Sequence, residues 1–361
     1  MQYISGIVEG FYGRQWSAQA RLDYADYLVE QGLNSYLYCP KGDAFLRKQW
    51  QQDWPRNTYL EQQRLATHYR ERQLNWGVGL SPYALYQEYG EAEKVQLRSK
   101  ISEIDALGGN TLAILFDDMP GDCPDLALRQ AQILCDVQNW SEAEILLTCP
   151  TYYSFDPVLE RFFGARPQDY WQQFGAAVPN EFGIFWCGNQ VCSEAIGGAD
   201  ITAISELLGR APVLWDNYPV NDGARASNFL HITPLAHREP VLRELTAGHL
   251  CNPMNQAYLS MAPLTGLATL LSDRHSSIDT PQDYPGLPTA SSLALARLGV
   301  ELAPAVAEDL YSFERIGLDA MATEEVQRLQ QKYRQIAHPA AAEIADWLAG
   351  GYTFDPACLT G

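Results

Sequence analysis

The stretch Thr111-Leu112-Ala113-Ile114-Leu115-Phe116-Asp117-Asp118 is a continuous apolar run that ends in two adjacent carboxylates. Such a short apolar run is typical of a buried strand. Before it, apolar residues recur at helical spacing, and two glycines separate the helical pattern from the strand: Leu97, Ile101, Ile104 and Leu107 precede Gly108-Gly109. The order helix, turn, buried strand indicates one unit of an α/β fold.

Seven further strand-like runs lie on either side of this unit: Tyr3–Val8, Ser35–Cys39, Asn75–Leu80, Glu144–Cys149, Phe182–Cys187, Pro212–Trp215 and Gly248–Asn252. Helical patterns lie between them, the first with Ser17 as a candidate cap and Gly32 as its end. Eight strands at intervals of roughly 30–40 residues predict a (β/α)₈ TIM barrel. A doubly wound open sheet is the alternative, but it usually has fewer repeats and often a glycine-rich phosphate turn, which this sequence lacks.

The sequence changes character after residue 272. Residues 273–290 are polar and rich in Pro, Ser and Asp, as expected of a long connection. Helical patterns follow, with Pro339 before the last of them: Leu293–Leu302, Glu324–Ala337 and Ala342–Leu348. We therefore expect a barrel over residues 1–272, and a connection with a helical C-terminal region over residues 273–361.

Composition and charge restrict the class of partner. The 361 residues carry a formal net charge of −19, and no basic cluster occurs, which argues against nucleic acid and anionic membranes. The eight cysteines form no CxxC pair and several lie in apolar runs, so we expect reduced thiols. Because neither a signal peptide nor a membrane-spanning stretch is evident, we predict a cytoplasmic protein.

Polar residues follow most of the predicted strands, where the active site of a barrel lies. They are Glu9–Arg14, Pro40–Asp43, Asp117-Asp118, Pro150–Tyr153, Gly188–Gln190, Asp216-Asn217, Asn221-Asp222 and Asn252-Pro253. Carboxylates, amides, one lysine and tyrosines suit the recognition of sugar hydroxyls. No histidine follows a strand, so a zinc site is not expected.

The pair Asp117-Asp118 carries the most specific chemistry. Two close carboxylates raise the pKa of at least one of them, which favours a general acid near neutral pH. Sequence neighbours cannot easily flank a glycosidic bond from both sides, as the two groups of most retaining glycosidases do. One mechanism that fits is substrate assistance, in which the sugar's 2-acetamido oxygen attacks the anomeric carbon. A helix cap and a divalent-cation site are the alternatives for this pair.

Five strings resemble glycoside hydrolase family 84, which contains the O-GlcNAcases and related bacterial β-N-acetylglucosaminidases. They are Gly6–Arg14, Tyr36–Lys41, Leu115–Asp118, Cys149–Tyr153, and Trp215–Asn217 with Asn221-Asp222. The matches occur in the family's order and extend from about residue 3 to residue 270, so they leave the helical C-terminal region largely uncovered. Two positions depart from the family's pattern: Gly42 follows the lysine, and the chain reads Trp186-Cys187-Gly188-Asn189. Both departures put substrate preference in question more than the reaction.

The resemblance implies a role for each matching residue. Asp117 would orient and polarise the acetamido group, Asp118 would act as general acid and base, and Tyr153 would donate to the oxazoline oxygen. The residues implied in holding the sugar or lining its pocket are Gly10, Tyr12, Lys41, Cys149, Cys187, Val191, Trp215, Asn217, Asp222 and Asn252.

The expected activity is therefore that of a retaining β-N-acetylglucosaminidase of the O-GlcNAcase type. It would act on a glycoside or glycoprotein bearing terminal β-linked N-acetylglucosamine, through an oxazoline intermediate, with no cofactor and no metal. Two alternatives stay open. One is a non-catalytic barrel that binds N-acetylglucosamine or glycoproteins. The other is a metal-dependent barrel hydrolase that uses Asp117, Asp118 and Asp43.

Overall fold

Eight parallel strands close into a barrel in the computed structural model, which describes residues 2–272, 287–352 and 354–360. Each strand pairs with the next in the chain, and β1 pairs with β8 to complete the ring. The strands are β1 (Ile4–Glu9), β2 (Ser35–Tyr38), β3 (Asn75–Leu80), β4 (Thr111–Leu115), β5 (Ile145–Cys149), β6 (Phe182–Trp186), β7 (Val213–Asp216) and β8 (Gly248–Cys251). The predicted (β/α)₈ barrel is confirmed, and each predicted strand end lies within one residue of the observed one.

Helices connect the strands and continue beyond the barrel. They are α1 (Ala18–Gln31), α2 (Arg56–Glu71), α3 (Glu91–Asp105), α4 (Leu126–Trp140), α5 (Val158–Phe163), α6 (Tyr170–Ala177), α7 (Gly198–Leu208), α8 (Leu242–Leu245), α9 (Ala257–Ser260), α10 (Thr265–Leu271), α11 (Thr289–Ala296), α12 (Gly299–Tyr311), α13 (Thr323–Arg334) and α14 (Pro339–Leu348). None of the described helices is both long enough and apolar enough to cross a bilayer.

Local sequence sets the limits of α1. The Ser17 hydroxyl accepts a hydrogen bond from the Ala20 N–H at 3.1 Å, which satisfies one of the free donors of the first turn. Gly32 ends the helix in the left-handed conformation, with φ of 66°. Both predicted signals are therefore confirmed.

The strands are buried on both faces, which explains why their sequences are continuously apolar. All five residues of β4 are buried, for example. Side chains that point inward fill the barrel, and those that point outward pack under the surrounding helices. This arrangement places the strand ends, and the polar residues that follow them, together at one mouth of the barrel.

The helical C-terminal region has a hydrophobic cluster of its own. Leu302, Leu329 and Trp347 of α12, α13 and α14 are buried in it together with Met254 and Leu259, which follow β8. The helical pattern predicted over Leu293–Leu302 is divided between two helices, because α11 ends at Ala296 and α12 begins at Gly299. Gly299 has φ of +78°, a left-handed conformation that ends a helix.

Only the end of the predicted connection lies among the described residues. The connection predicted over residues 273–290 lies mostly outside the described residues, and α11 already begins at Thr289. The division of the chain at residue 272 stays a prediction.

Candidate active site

Asp117 and Asp118 follow β4 after a single residue, Phe116, and lie at the barrel mouth. The main chain turns there, and Asp118 has φ of +54°, the left-handed conformation that non-glycine residues seldom adopt. Both carboxylate oxygens of Asp118 accept hydrogen bonds from phenols. The Tyr153 hydroxyl donates to Oδ1 at 2.9 Å, and the Tyr12 hydroxyl donates to Oδ2 at 2.8 Å. Asp118 is thus hydrogen-bonded to two of the predicted tyrosines, Tyr12 and Tyr153.

Asp117 is buried and only half satisfied. Lys41 Nζ donates to its Oδ2, while its Oδ1 is buried and has no hydrogen-bond partner among the described residues. Burial lowers the pKa of the Lys41 ammonium, but the Asp117 carboxylate outweighs it, so that the net pKa is raised. The pair is therefore ionic, and one carboxylate oxygen is left available for a donor from outside the protein.

The opposite wall is built by amides that hold one another. Asn217 Oδ1 accepts from the Trp215 indole N–H and from Asn252 Nδ2, each at 3.0 Å. Its Nδ2 donates to the Val191 carbonyl at 2.8 Å. Asn252 Oδ1 in turn accepts from the Gly10 N–H at 3.2 Å. The loops after β1, β6, β7 and β8 are thus locked in one geometry.

Gly10 is required by the close approach of a ring. A Cβ at this position would lie 2.2 Å from Cζ2 of Trp215, far inside contact distance. The glycine therefore lets the indole lie flat against the end of β1, where the ring forms one wall of the pocket.

Asp222 lies on the same side and is partly buried. Its Oδ2 accepts the Tyr12 main-chain N–H at 2.8 Å. Burial raises the pKa of Asp222 to about 6, although the Tyr12 N–H lowers it. The nearby Asp118 carboxylate contributes to the rise.

The structure brings every predicted site residue to one pocket at this mouth, and the roles assigned to them stay predictions. The pocket is lined by Gly10, Tyr12, Lys41, Asp117, Asp118, Cys149, Tyr153, Cys187, Val191, Cys192, Trp215, Asn217, Val220, Asp222, Asn252, Cys358 and Thr360. Burial raises the pKa of the thiols of Cys149 and Cys187, so they act there as neutral apolar groups. Of the two departures from the family pattern, Cys187 lines the pocket and Gly42 is exposed.

Two pocket residues come from the end of the described chain and were missed. Cys358 is buried, and Thr360 lines the same pocket as Tyr153. The free volume left in the pocket is about 50 Å³. That is room for a few water molecules at ~10–15 Å³ each, and far less than a ligand site of roughly 300–1,000 Å³. No motif marks these residues, since only the path of the chain brings them there.

Three carboxylates near the strand ends serve the fold rather than the pocket. Glu9 forms a bidentate pair with Arg21, and Asp216 forms one with Arg238. Asp43 accepts from Tyr38, from the Trp54 indole and from the Phe45 main-chain N–H. Each carboxylate is fully engaged, so each fixes the loop that follows its strand.

Asp216 also belongs to a compact group with His249 and Cys251, whose ligand atoms lie within 4.8 Å of one another. Burial raises the pKa of Asp216, but hydrogen bonds from Arg238 and His249 lower it to a net value of about 2. Since the Arg238 guanidinium already fills the space beside this carboxylate, its positive charge opposes a cation there.

Comparison with known proteins agrees with this architecture. A family model described as beta-N-acetylglucosaminidase matches residues 5–283. The protein O-GlcNAcases of Rattus norvegicus and Mus musculus are each 27% identical over 277 residues, which is 74% of this chain and 30% of theirs. The chain thus spans less than a third of the length of these curated relatives.

One solved structure is similar over nearly the whole chain. It is a mutant of an O-GlcNAc hydrolase from Thermobaculum terrenum, with a TM-score of 0.76 and 27% identity. The match covers 97% of this chain and 81% of the other. It therefore includes both the barrel and the helices that follow it.

Proposed function

Because this chain belongs to the beta-N-acetylglucosaminidase family, glycoside hydrolase family 84, we propose that it is a retaining β-N-acetylglucosaminidase that uses substrate-assisted catalysis. The observation that carries the proposal is the buried, unpartnered Oδ1 of Asp117. A buried acceptor without a donor is unfavourable, by about 1–3 kcal/mol. The acetamido N–H of a bound sugar supplies the missing donor, and the contact also polarises the amide.

The first step forms the oxazoline. The acetamido oxygen attacks the anomeric carbon, and the bond to the leaving oxygen breaks as Asp118 protonates that oxygen. Asp117 holds the N–H while positive charge develops on the amide. Lys41 holds the Asp117 carboxylate in place through their buried ion pair.

The second step returns the sugar with retained configuration. Asp118, now a carboxylate, takes a proton from water as the water attacks the anomeric carbon and the oxazoline opens. Tyr153 donates to the oxazoline oxygen, a contribution of the oxyanion-hole type. In the structure its hydroxyl donates to Asp118, so substrate binding must redirect it.

The remaining wall holds the sugar. Asp222 accepts hydrogen bonds from the sugar hydroxyls, and the Asn252 amide donates to them or accepts from them. The Trp215 ring covers an apolar face of the sugar. The amide chain through Asn217 keeps these groups fixed before the substrate arrives.

We further propose that the substrate is a glycoprotein or glycoside bearing terminal β-linked N-acetylglucosamine, because the relatives with related sequences are named protein O-GlcNAcases and an O-GlcNAc hydrolase. A cytoplasmic location fits the cysteines that lie in the barrel part of the chain, which form no disulfide: Cys39, Cys123, Cys135, Cys149, Cys187, Cys192 and Cys251. In this proposal, residues 1–272 form the catalytic barrel, and residues 273–361 form a connection and a helical C-terminal region.

The proposal is tested with aryl β-N-acetylglucosaminides of differing leaving group. Asp118→Ala should lose at least roughly 100-fold in kcat/KM with a poor leaving group and much less with a good one. Asp117→Ala should lose activity on both substrates, because the acetamido group must attack the anomeric carbon whichever leaving group departs. An N-acetylglucosamine-thiazoline inhibitor, which mimics the cyclised intermediate, should bind tightly to the unaltered protein.

Asp122→Ala is the matched control, since Asp122 is an exposed carboxylate in the same loop after β4. Full activity of Asp118→Ala on the poor substrate would refute the assignment. Tight binding of N-acetylglucosamine without hydrolysis would indicate a receptor instead. Loss of activity with a chelator would indicate a metal-dependent hydrolase.

A further inference from the structure

Asp118 depends on its surroundings for its backbone conformation. A non-glycine residue in the left-handed region is strained by about 1 kcal/mol or more, although aspartate tolerates it better than most. The direction of its Cα–Cβ bond follows from this conformation, since φ is +54°. The contact that holds the Asp118 backbone therefore also sets where its carboxylate points.

Arg47 makes that contact. Its Nη2 donates to the Asp118 carbonyl at 2.8 Å. In the described part of the chain, no main-chain N–H donates to this carbonyl. The Arg47 side chain reaches from the loop after β2 to the turn after β4, and the residue is only 7% exposed.

The loop that carries Arg47 is itself held firmly. Asp43 caps the short 3₁₀ turn Ala44–Leu46 by accepting the Phe45 N–H at 2.9 Å. The Leu46 carbonyl accepts the Ser81 N–H at 2.8 Å, which ties this turn to the end of β3. The guanidinium is thus delivered to Asp118 from a fixed base.

The guanidinium is also charged and close to the chemistry. Burial lowers the pKa of Arg47, whereas Tyr12, Asp118 and Asp117 raise it, with a net rise. No carboxylate among the described residues lies within ion-pair distance of it, and its Nη1 is buried without a hydrogen-bond partner. A fixed positive charge therefore remains beside the acidic pair.

We propose that Arg47 is a positioning residue for Asp118, whose carbonyl it holds so that the carboxylate points at the leaving oxygen. This inference rests on the proposed function. Arg47 need not touch the sugar, since it acts through the main chain of the general acid. The sequence alone gives no sign of this role, because the two residues are separated by 71 positions.

The test compares two leaving groups in Arg47→Met. With a phenyl glycoside, which needs a proton, kcat/KM should fall by roughly 100-fold. With a 2,4-dinitrophenyl glycoside, which needs little help, it should fall by less than about tenfold. Binding of the thiazoline inhibitor should change little, because this mimic of the cyclised intermediate has no leaving group for Asp118 to protonate. Lys48→Met, at the exposed neighbouring residue, is the control and should behave as the unaltered protein.

Arg47→Lys provides a second measurement should Arg47→Met fold poorly, because lysine keeps a donor and a positive charge. It should retain more activity on the phenyl glycoside than Arg47→Met and show the same order of losses. Equal losses on both substrates, in either variant, would overturn the inference. If the unaltered protein hydrolyses neither glycoside, the proposed function fails instead, so the two failures are distinguishable.

Discussion

Asp222 illustrates how a single residue couples burial to binding. Its pKa is raised to about 6, mainly by burial, so the carboxyl of the empty enzyme takes up a proton as the pH falls through about 6. Sugar hydroxyls donate more strongly to a carboxylate than to a neutral carboxyl. Binding of a sugar thus favours the ionised form.

We therefore predict that N-acetylglucosamine binds more weakly below pH 6. The dissociation constant should rise by up to about tenfold per pH unit below that value, because each binding event must then release a proton. Titration calorimetry between pH 5 and pH 8 measures it. Asp222→Asn should bind more weakly throughout and lose this pH dependence. An unchanged dependence in that variant would assign the titration to another group.

At the scale of the element, α14 contributes a partly buried carboxyl, that of Glu343, to the start of α9. Glu343 accepts the main-chain N–H groups of Tyr258 at 3.1 Å and of Leu259 at 2.9 Å. Burial raises the pKa of Glu343 to about 7 against an ordinary value of 4.5, even though these N–H groups lower it. The helix that follows β8 is thus attached to the C-terminal region through a titratable group.

The raised pKa of Glu343 makes the folded protein more stable at low pH than at high pH. Between pH 4.5 and pH 7 the folded chain holds a proton that the unfolded chain releases. The stabilisation is complete below pH 4.5 and is lost as the pH rises to about 7. The loss amounts to roughly 3 kcal/mol.

Glu343→Gln should remove this dependence, because glutamine resembles the protonated acid and does not titrate. In urea unfolding at pH 5 and pH 8, the variant should gain stability relative to the unaltered protein as the pH rises. Glu324→Gln, at an exposed position at the start of α13, is the control and should follow the unaltered protein. A constant difference between Glu343→Gln and the unaltered protein would contradict the prediction.

At the scale of the whole molecule, the end of the described chain returns to the barrel mouth. Cys358 and Thr360 line the pocket, and the free volume there is about 50 Å³. We therefore expect a bound sugar to displace this segment. The apparent affinity is then reduced by the fraction of molecules in which the segment covers the pocket.

Removal of residues 355–361 should accordingly tighten the binding of N-acetylglucosamine, by roughly threefold or more. Leu359→Ala, at a half-exposed position in the same segment, keeps the segment in place and should leave the affinity unchanged. Calorimetry of both variants gives the comparison. An equal affinity with and without the segment would show that it does not compete with the sugar.

The sequence by itself determined the barrel, since eight apolar runs buried on two faces, with helices between them, have few other ways to bury their surface. It also indicated which residues gather at the mouth, because the ends of parallel strands meet at one face. Asp117, Lys41 and Asn252 come together for that reason.

Only the tertiary structure decided which polar groups are already satisfied. Asp216 ends β7 and Asp117 follows β4. Arg238 binds both oxygens of Asp216, whereas Oδ1 of Asp117 has no hydrogen-bond partner in the part of the chain that the structure describes. Arg47 and Thr360 reach the site from distant parts of the chain. Hydrogen bonds and side-chain contacts depend on three-dimensional distances, and the periodicity of a sequence carries no information about these distances. These partners can therefore be identified only in the folded chain.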